Sequence, residues 1–337
     1  MRIGLNATGL VAKASVEAFV EHAKAAEADG FDSYWVAEHP SGGLDALTVL
    51  TVVGQSVEKM ELGTAVIPTY PRHPMVLAGQ ALTAQSAMAP SLTLGIGLSH
   101  KVMMGELGIE DDKPIRHLRD YLSILTPLID EGVVDYQGDT LSCTASVFRP
   151  AERPPQILVA ALGPRLLRVA ADHSAGTILW MANAASIRDH VAPHLAAAEG
   201  DGTRIVAGLP VAVTDDVDAA RARAAKEYVI YGQLPSYRAM LDHEGLGGPE
   251  DLALIGDLDT IAAIRRPLLS AAGPYSLSNP AADLPPPHPP SVVSAPPAPL
   301  ASTVPVPPPA DAHPAGHTDD STPAAPPPPR PPPPPPP

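Results

Sequence analysis

Seven short apolar runs recur along the chain, and each leads into a stretch with helical spacing. They lie at 2–6, 33–36, 63–67, 92–96, 156–160, 177–181 and 204–214. Strands buried on both faces read as continuous small or β-branched runs, and parallel neighbours must be joined by a long crossover. The alternation therefore calls for a parallel sheet covered by helices. Seven or eight such units favour a (β/α)8 TIM barrel over a doubly wound open sheet. The helical stretches carry their own punctuation. In 15–29, Phe19, Val20, Ala23 and Ala26 share one face, and Gly30 follows as a stop. Pro114 opens a long helix to Asp130, and 133–141 reads as a small hairpin turning at Gln137-Gly138-Asp139.

Proline sets the limit of the folded part. The chain has 337 residues and 43 prolines, and more than half of these prolines follow Asn279. Such a segment cannot bury enough apolar surface to offset its ordering entropy, so 280–337 is expected to be a disordered, extended, solvated tail. Residues 1–279 remain for one barrel. The formal net charge of −15 argues against nucleic acid or anionic membrane as a partner. An anionic ligand would need a local basic patch. The one cysteine, Cys143, allows no disulfide framework, and no apolar run approaches 18 residues. The expectation is a soluble cytoplasmic protein acting on a small molecule.

In a barrel of this kind the chemistry sits where strands end and loops begin. His39, in Ala-Glu-His-Pro after the second run, reads as a proton donor or ring contact, or as a turn cap. The third run enters a loop stiffened by Pro68, Pro71 and Pro74, from which Arg72 and His73 project to hold a ligand or brace the loop. Gly95 and Gly97 end the fourth run and allow close approach of a flat ligand. His100 follows them, nearer the strand end than Lys101. Leu162-Gly163-Pro164-Arg165 starts a helix whose free amides attract phosphate, with charge added by Arg165. Pro164 offers no amide, so its neighbours must serve. Trp180 reads as core before it reads as a stacking platform. His190 and His194 are four apart, but Pro193 interrupts them and no acid completes a metal set. No Walker loop or Gly-x-Ser-x-Gly elbow is present.

The runs MRIGLN, GFDSYWVAEHP, LGTAVIPTYPRHP, LTLGIGLSHK, RHLRDYLSILTPLI and QILVAALGPRLLRVAADHSAGTILWM, in this order, resemble the luciferase-like monooxygenase family in its F420-dependent oxidoreductase branch. The resemblance covers Met1 to about Ile264. It implies a luciferase-like barrel that passes a hydride between the deazaflavin F420 and a small organic substrate, commonly as a homodimer. It implies a cis bond at Ala65-Val66 supporting the deazaflavin ring. Phosphate-binding amides would come from Ala161, Leu162 and Gly163 together with Gly176 and Thr177. His39 matches a histidine near the reactive carbon. Some relatives carry an acid at the place of His100, so their proton-transfer scheme does not carry over. The same fold supports an FMN-dependent monooxygenase as the alternative.

One departure from the family pattern stands out. After GDLDTIAAIRR the chain meets Pro267, and only Tyr275 to Ser278 offers a weak eighth strand. The tail is then a natural extension after an atypical last unit, or the product of a shifted reading frame. A non-catalytic, degenerate flavin-binding barrel is the reading that follows if the last unit fails.

Overall fold

The computed structural model describes residues 2–11, 14–39, 42–110, 112–149, 153–196 and 203–261. β1 (Gly4–Asn6) leads to α1 (Val16–Ala28), where Ser15 caps the first turn by accepting from the Ala18 N–H. Gly30 leaves that helix at φ +87°, a conformation open to glycine. β2 (Ser33–Val36) and α2 (Ala46–Val53) follow. The third apolar run forms two strands, β3 (Glu61–Thr64) and β4 (Ile67–Pro68), separated by a bulge with a cis Ala65-Val66 bond. Next come α3 (Pro74–Ser86), β5 (Leu92–Gly97), α4 (Lys101–Glu106), α5 (Pro114–Asp130) and the hairpin β6 (Val133–Gln137) and β7 (Ser142–Ser146).

β8 (Gln156–Val159), α6 (Pro164–His173) and β9 (Gly176–Trp180) continue the alternation. α7 (Ala184–Ser186), a π-turn at Ile187–Val191 and α8 (Ala192–Ala196) form one broken helix. β10 (Arg204–Gly208), β11 (Val211–Val213), α9 (Val217–Glu227), α10 (Pro235–Glu244) and β12 (Leu254–Gly256) complete the described chain.

The sheet order is β1-β2-β3-β5-β8-β9-β10, with β4 continuing against β5, and every neighbour is parallel. Seven parallel strands thus curl into a nearly closed barrel wrapped by helices. Two sets of packed side chains result, as a barrel requires. Inside, Trp35, Leu158, Ile178 and Val206 fill the lumen, with Ala65, Val66 and Ala160 beside them. Gly63 makes room for Trp35, because a Cβ there would lie 2.2 Å from the indole. Outside, a larger core joins the strands to α1, α2, α3 and α5 through Phe19, Leu50, Leu82 and Leu125.

The strand starts close the lumen from below with charge. Arg204 of β10 reaches across to Glu61 of β3 with bonds of 2.7 and 3.0 Å. Arg2 adds a contact at 2.6 Å, and Thr93 of β5 donates to the same carboxylate. Glu61 is 3% exposed. Burial disfavours its charge, but Arg204, Thr93 and Arg2 outweigh that and lower its pKa.

Three local expectations are corrected. The seventh run breaks at Leu209-Pro210 because proline cannot donate to the ladder, and β11 pairs instead with β12, a strand absent from the sequence reading. α4 forms in a stretch read as loop. The second strand of the hairpin runs from Ser142 to Ser146, past the expected end at 141. The weak strand at 275–278 and the tail at 280–337 lie outside the described residues. No helix of the described residues is long and apolar enough to cross a membrane.

Candidate active site

The bulge between β3 and β4 is the centre of the barrel's C-terminal face. Ala65 N–H donates to Val36 O at 2.8 Å, and Glu38 N–H donates to Val66 O at 3.2 Å. On the other side Thr64 Oγ1 donates to Gly95 O at 2.7 Å, and Thr69 N–H to Gly97 O at 2.9 Å. The bulge is thereby tied to β2 and β5 together. A Cβ on Gly95 would lie 2.0 Å from Thr64 O, and one on Gly97 would lie 2.9 Å from Val66 Cγ2. The two glycines therefore make space for the bulge itself.

His39 and His100 leave the ends of β2 and β5 on either side of this bulge. Both are half-buried. Burial lowers the pKa of each, and for His100 the nearness of His39 lowers it further. Two neutral imidazoles are thus brought together at one strand-end level. His100 also meets Tyr231 edge-on and Tyr237 at a tilt, at ring separations of 6.3 and 6.0 Å. Trp180, at the end of β9, joins the same group through Tyr228 at 6.1 Å and Tyr231 at 6.3 Å. Burial pushes the Tyr231 hydroxyl up to about 12. The Trp180 Nε1–H is buried and lies close to that hydroxyl, which offsets part of the shift.

The loop after β4 is braced. Arg72 binds Glu38 at 3.1 Å and Asp45 at 2.8 Å. His73 caps α3, its Nδ1 accepting from the Met75 N–H at 3.2 Å. Tyr121 of α5 donates to Arg72 O at 2.8 Å, His117 meets Thr69 Oγ1 at 3.1 Å, and Tyr70 stacks on His117 at 3.9 Å. Of the two roles open to Arg72 and His73, bracing is the one these contacts describe. Glu38, beside His39, is 15% exposed, and burial raises its pKa although Arg72 opposes the shift.

Ala161, Leu162 and Gly163 form the turn from β8 into α6. Ala161 and Leu162 are buried, and Arg165 is exposed at the second helical position. Gly176 and Thr177 stand apart from this turn's open side. They begin β9, and a Cβ on Gly176 would lie 1.9 Å from Arg204 O. Thr177 is fully buried and its hydroxyl donates to Val159 O at 2.8 Å and Ala161 O at 3.4 Å, supporting the turn from behind. His190 and His194, read as an unpromising metal pair, both bind carbonyls: His190 Nε2 meets Leu162 O at 2.7 Å and His194 Nδ1 meets His190 O at 2.6 Å.

Sequence reasoning missed Glu38, Tyr231, Tyr237 and the role of His190. Glu38 was visible beside His39. The two tyrosines lie far along the chain, in segments with no motif, and carry no local signal.

The barrel thus gathers two histidines, a cluster of aromatic rings and a braced bulge at its strand ends. Residues 2–288 match the profile of the luciferase-like monooxygenases, and the chain belongs to that family and is an oxidoreductase. It is 26% identical to the 5,10-methylenetetrahydromethanopterin reductase of Archaeoglobus fulgidus over 67% of this chain and 69% of that one. It is 31% identical to the F420-dependent glucose-6-phosphate dehydrogenase of Tsukamurella paurometabola over 49% of this chain and 55% of that one. The structure of the F420-dependent tetrahydromethanopterin reductase from Methanopyrus kandleri superposes with a TM-score of 0.68 at 18% identity, covering 83% of this chain and 92% of that chain.

Proposed function

We propose that this protein is an F420-dependent oxidoreductase that moves a hydride between the deazaflavin and a small organic substrate. The observation that carries the reading is the placing of His39 and His100 after β2 and β5, the strands that flank the bulge, where burial lowers the pKa of each. The F420 assignment follows the relatives named above, two of which are F420-dependent by name. The residues present fit such a cofactor. Ala65 and Val66 are half-buried at the strand ends and pack on the lumen cluster, leaving an apolar surface for a ring. The turn at Ala161, Leu162 and Gly163 heads a helix of ten residues, a suitable seat for phosphate.

The cofactor, when bound, supplies the hydride chemistry. The chain supplies position and proton traffic. His39 and His100, being neutral, can each hold one ring N–H toward a substrate oxygen and accept a proton at the other nitrogen. Tyr231, Tyr237 and Trp180 wall the site and exclude water. Arg72 and its carboxylate partners hold the loop that frames it.

The second reading is an FMN monooxygenase, in keeping with the family's name. A titration of the full-length protein against oxidised F420 and, separately, FMN tests both. Tight F420 binding with weak FMN binding is expected. The reverse preference would move the chain to the flavin monooxygenases, and binding of neither would remove the enzyme reading.

A further inference from the structure

We propose that His190 is the positioning residue of the phosphate turn: it pins the Leu162 carbonyl so that the Gly163 amide is aimed at the bound cofactor's phosphate. The inference rests on the cofactor reading given above. It begins with Pro193. A proline inside a helix has no N–H for the preceding turn and crowds the carbonyl four residues back. The helix after β9 answers with a π-turn at Ile187–Val191, in which Ala192 N–H reaches Ile187 O. The widened turn carries His190 to the β8–α6 connection, where its Nε2 lies 2.7 Å from Leu162 O. A carbonyl cannot donate, so Nε2 carries the proton. His194 Nδ1–H in turn donates to His190 O at 2.6 Å and anchors the backbone beneath the imidazole.

The geometry of a peptide then fixes the rest. The Leu162-Gly163 bond is trans, so the Leu162 C=O and the Gly163 N–H point in opposite directions. With the carbonyl held by His190, the Gly163 N–H faces away from the imidazole. Pro164 supplies no amide at the first helical position, so Gly163 carries the last free amide before the helix. Gly163 O is already used by the Leu167 N–H at 3.0 Å, so the residue is held on its helical side as well. Thr177 Oγ1 holds Ala161 O from behind. Orientation of amides before the ligand arrives is what makes such a turn bind anions.

The test compares His190→Leu, which removes the donor, with His190→Gln, whose Nε2–H can occupy the same place. Each full-length variant is titrated with F420 and with its phosphate-free deazaflavin nucleoside, with FMN and riboflavin as a parallel pair. Thermal melts report folding. The wild type should bind the phosphorylated form more tightly. His190→Leu should weaken it about tenfold, the scale of one lost hydrogen bond. It should leave the phosphate-free form unchanged. His190→Gln should restore affinity to within about threefold. Undiminished preference for the phosphorylated form in His190→Leu would overturn the proposal and leave the cofactor reading standing. Equal losses for both forms would also overturn it, by showing a general structural role. A wild type that binds neither phosphorylated cofactor would sink the cofactor reading and the proposal with it.

Discussion

At the scale of single residues, the site depends on atoms that are absent as much as on those present. Gly95 has no Cβ, and Thr64 O occupies the place where one would be. Gly95→Ala must displace backbone and not a flexible side-chain tip. We expect it to cost about 1–3 kcal/mol by denaturant unfolding and to weaken cofactor binding by distorting the bulge. Full retention of both would show that the bulge does not need this space. His39 gives a kinetic prediction. Removing a group that handles a proton typically costs 10²- to 10⁴-fold. His39→Ala should therefore lower kcat by about 100-fold or more, with cofactor affinity within about twofold. Because burial lowers the pKa of His39 and His100 below 6.5, both are neutral at pH 7. Where they accept a proton from substrate, kcat/KM should be flat near neutrality and fall only below pH 6.5. A limb centred above that value would contradict the assignment. His39 was legible in the sequence because it follows an apolar run directly. The space beside Gly95 was not, since the atom that fills it belongs to a residue on another strand.

At the scale of elements, a loop acts as part of the scaffold because one helix holds it. Tyr121 and His117 lie one turn apart on α5 and reach Arg72 O and Thr69 Oγ1 in the loop after β4. Tyr121→Phe keeps the ring and removes the donor. The variant should lose about 1 kcal/mol of stability, the usual net value of one hydrogen bond. It should also raise the KM for substrate, since the loop frames the site. An unchanged KM would mean that the loop is braced redundantly. Some element boundaries were legible: Gly30 reads as a helix stop and Pro114 as a helix start, and in the structure they follow α1 and open α5. β12 was not. Leu254 to Gly256 is too short to show a period, and it exists because β11, turned aside at Pro210, offers an unpaired edge.

At the scale of the whole molecule, the barrel is closed below by a polar cluster of Arg2, Glu61 of β3, Thr93 of β5 and Arg204 of β10. Breaking a buried pair by removing one partner leaves an uncompensated charge, so Arg204→Met should cost about 3–5 kcal/mol. The companion change Glu61→Gln should be milder in the presence of Arg204 than the loss of Arg204 in the presence of Glu61, because Arg204 is 17% exposed and Glu61 only 3%. Denaturant curves for the two variants would show the order. The folded pKa of Glu61 lies below its ordinary value of 4.5. Its stabilising contribution is therefore complete above about pH 4.5 and is lost as pH falls through the lower, folded value. Acid unfolding of the wild type should begin below pH 4.5, and Glu61→Gln should flatten that part of the curve.

The sequence by itself determined the alternation of strand and helix, some helix ends and the strand ends at which chemistry would gather. These depend on residues a few positions apart, so period, punctuation and spacing record them. Only the tertiary structure decided which groups meet. Arg204 and Glu61 are 143 residues apart along the chain yet share a bond of 2.7 Å. His190 touches Leu162 across a crossover, and Tyr231 joins His100 from another unit of the barrel. Barrel closure brings such residues together, and no local run of sequence carries a mark of a partner that closure alone supplies.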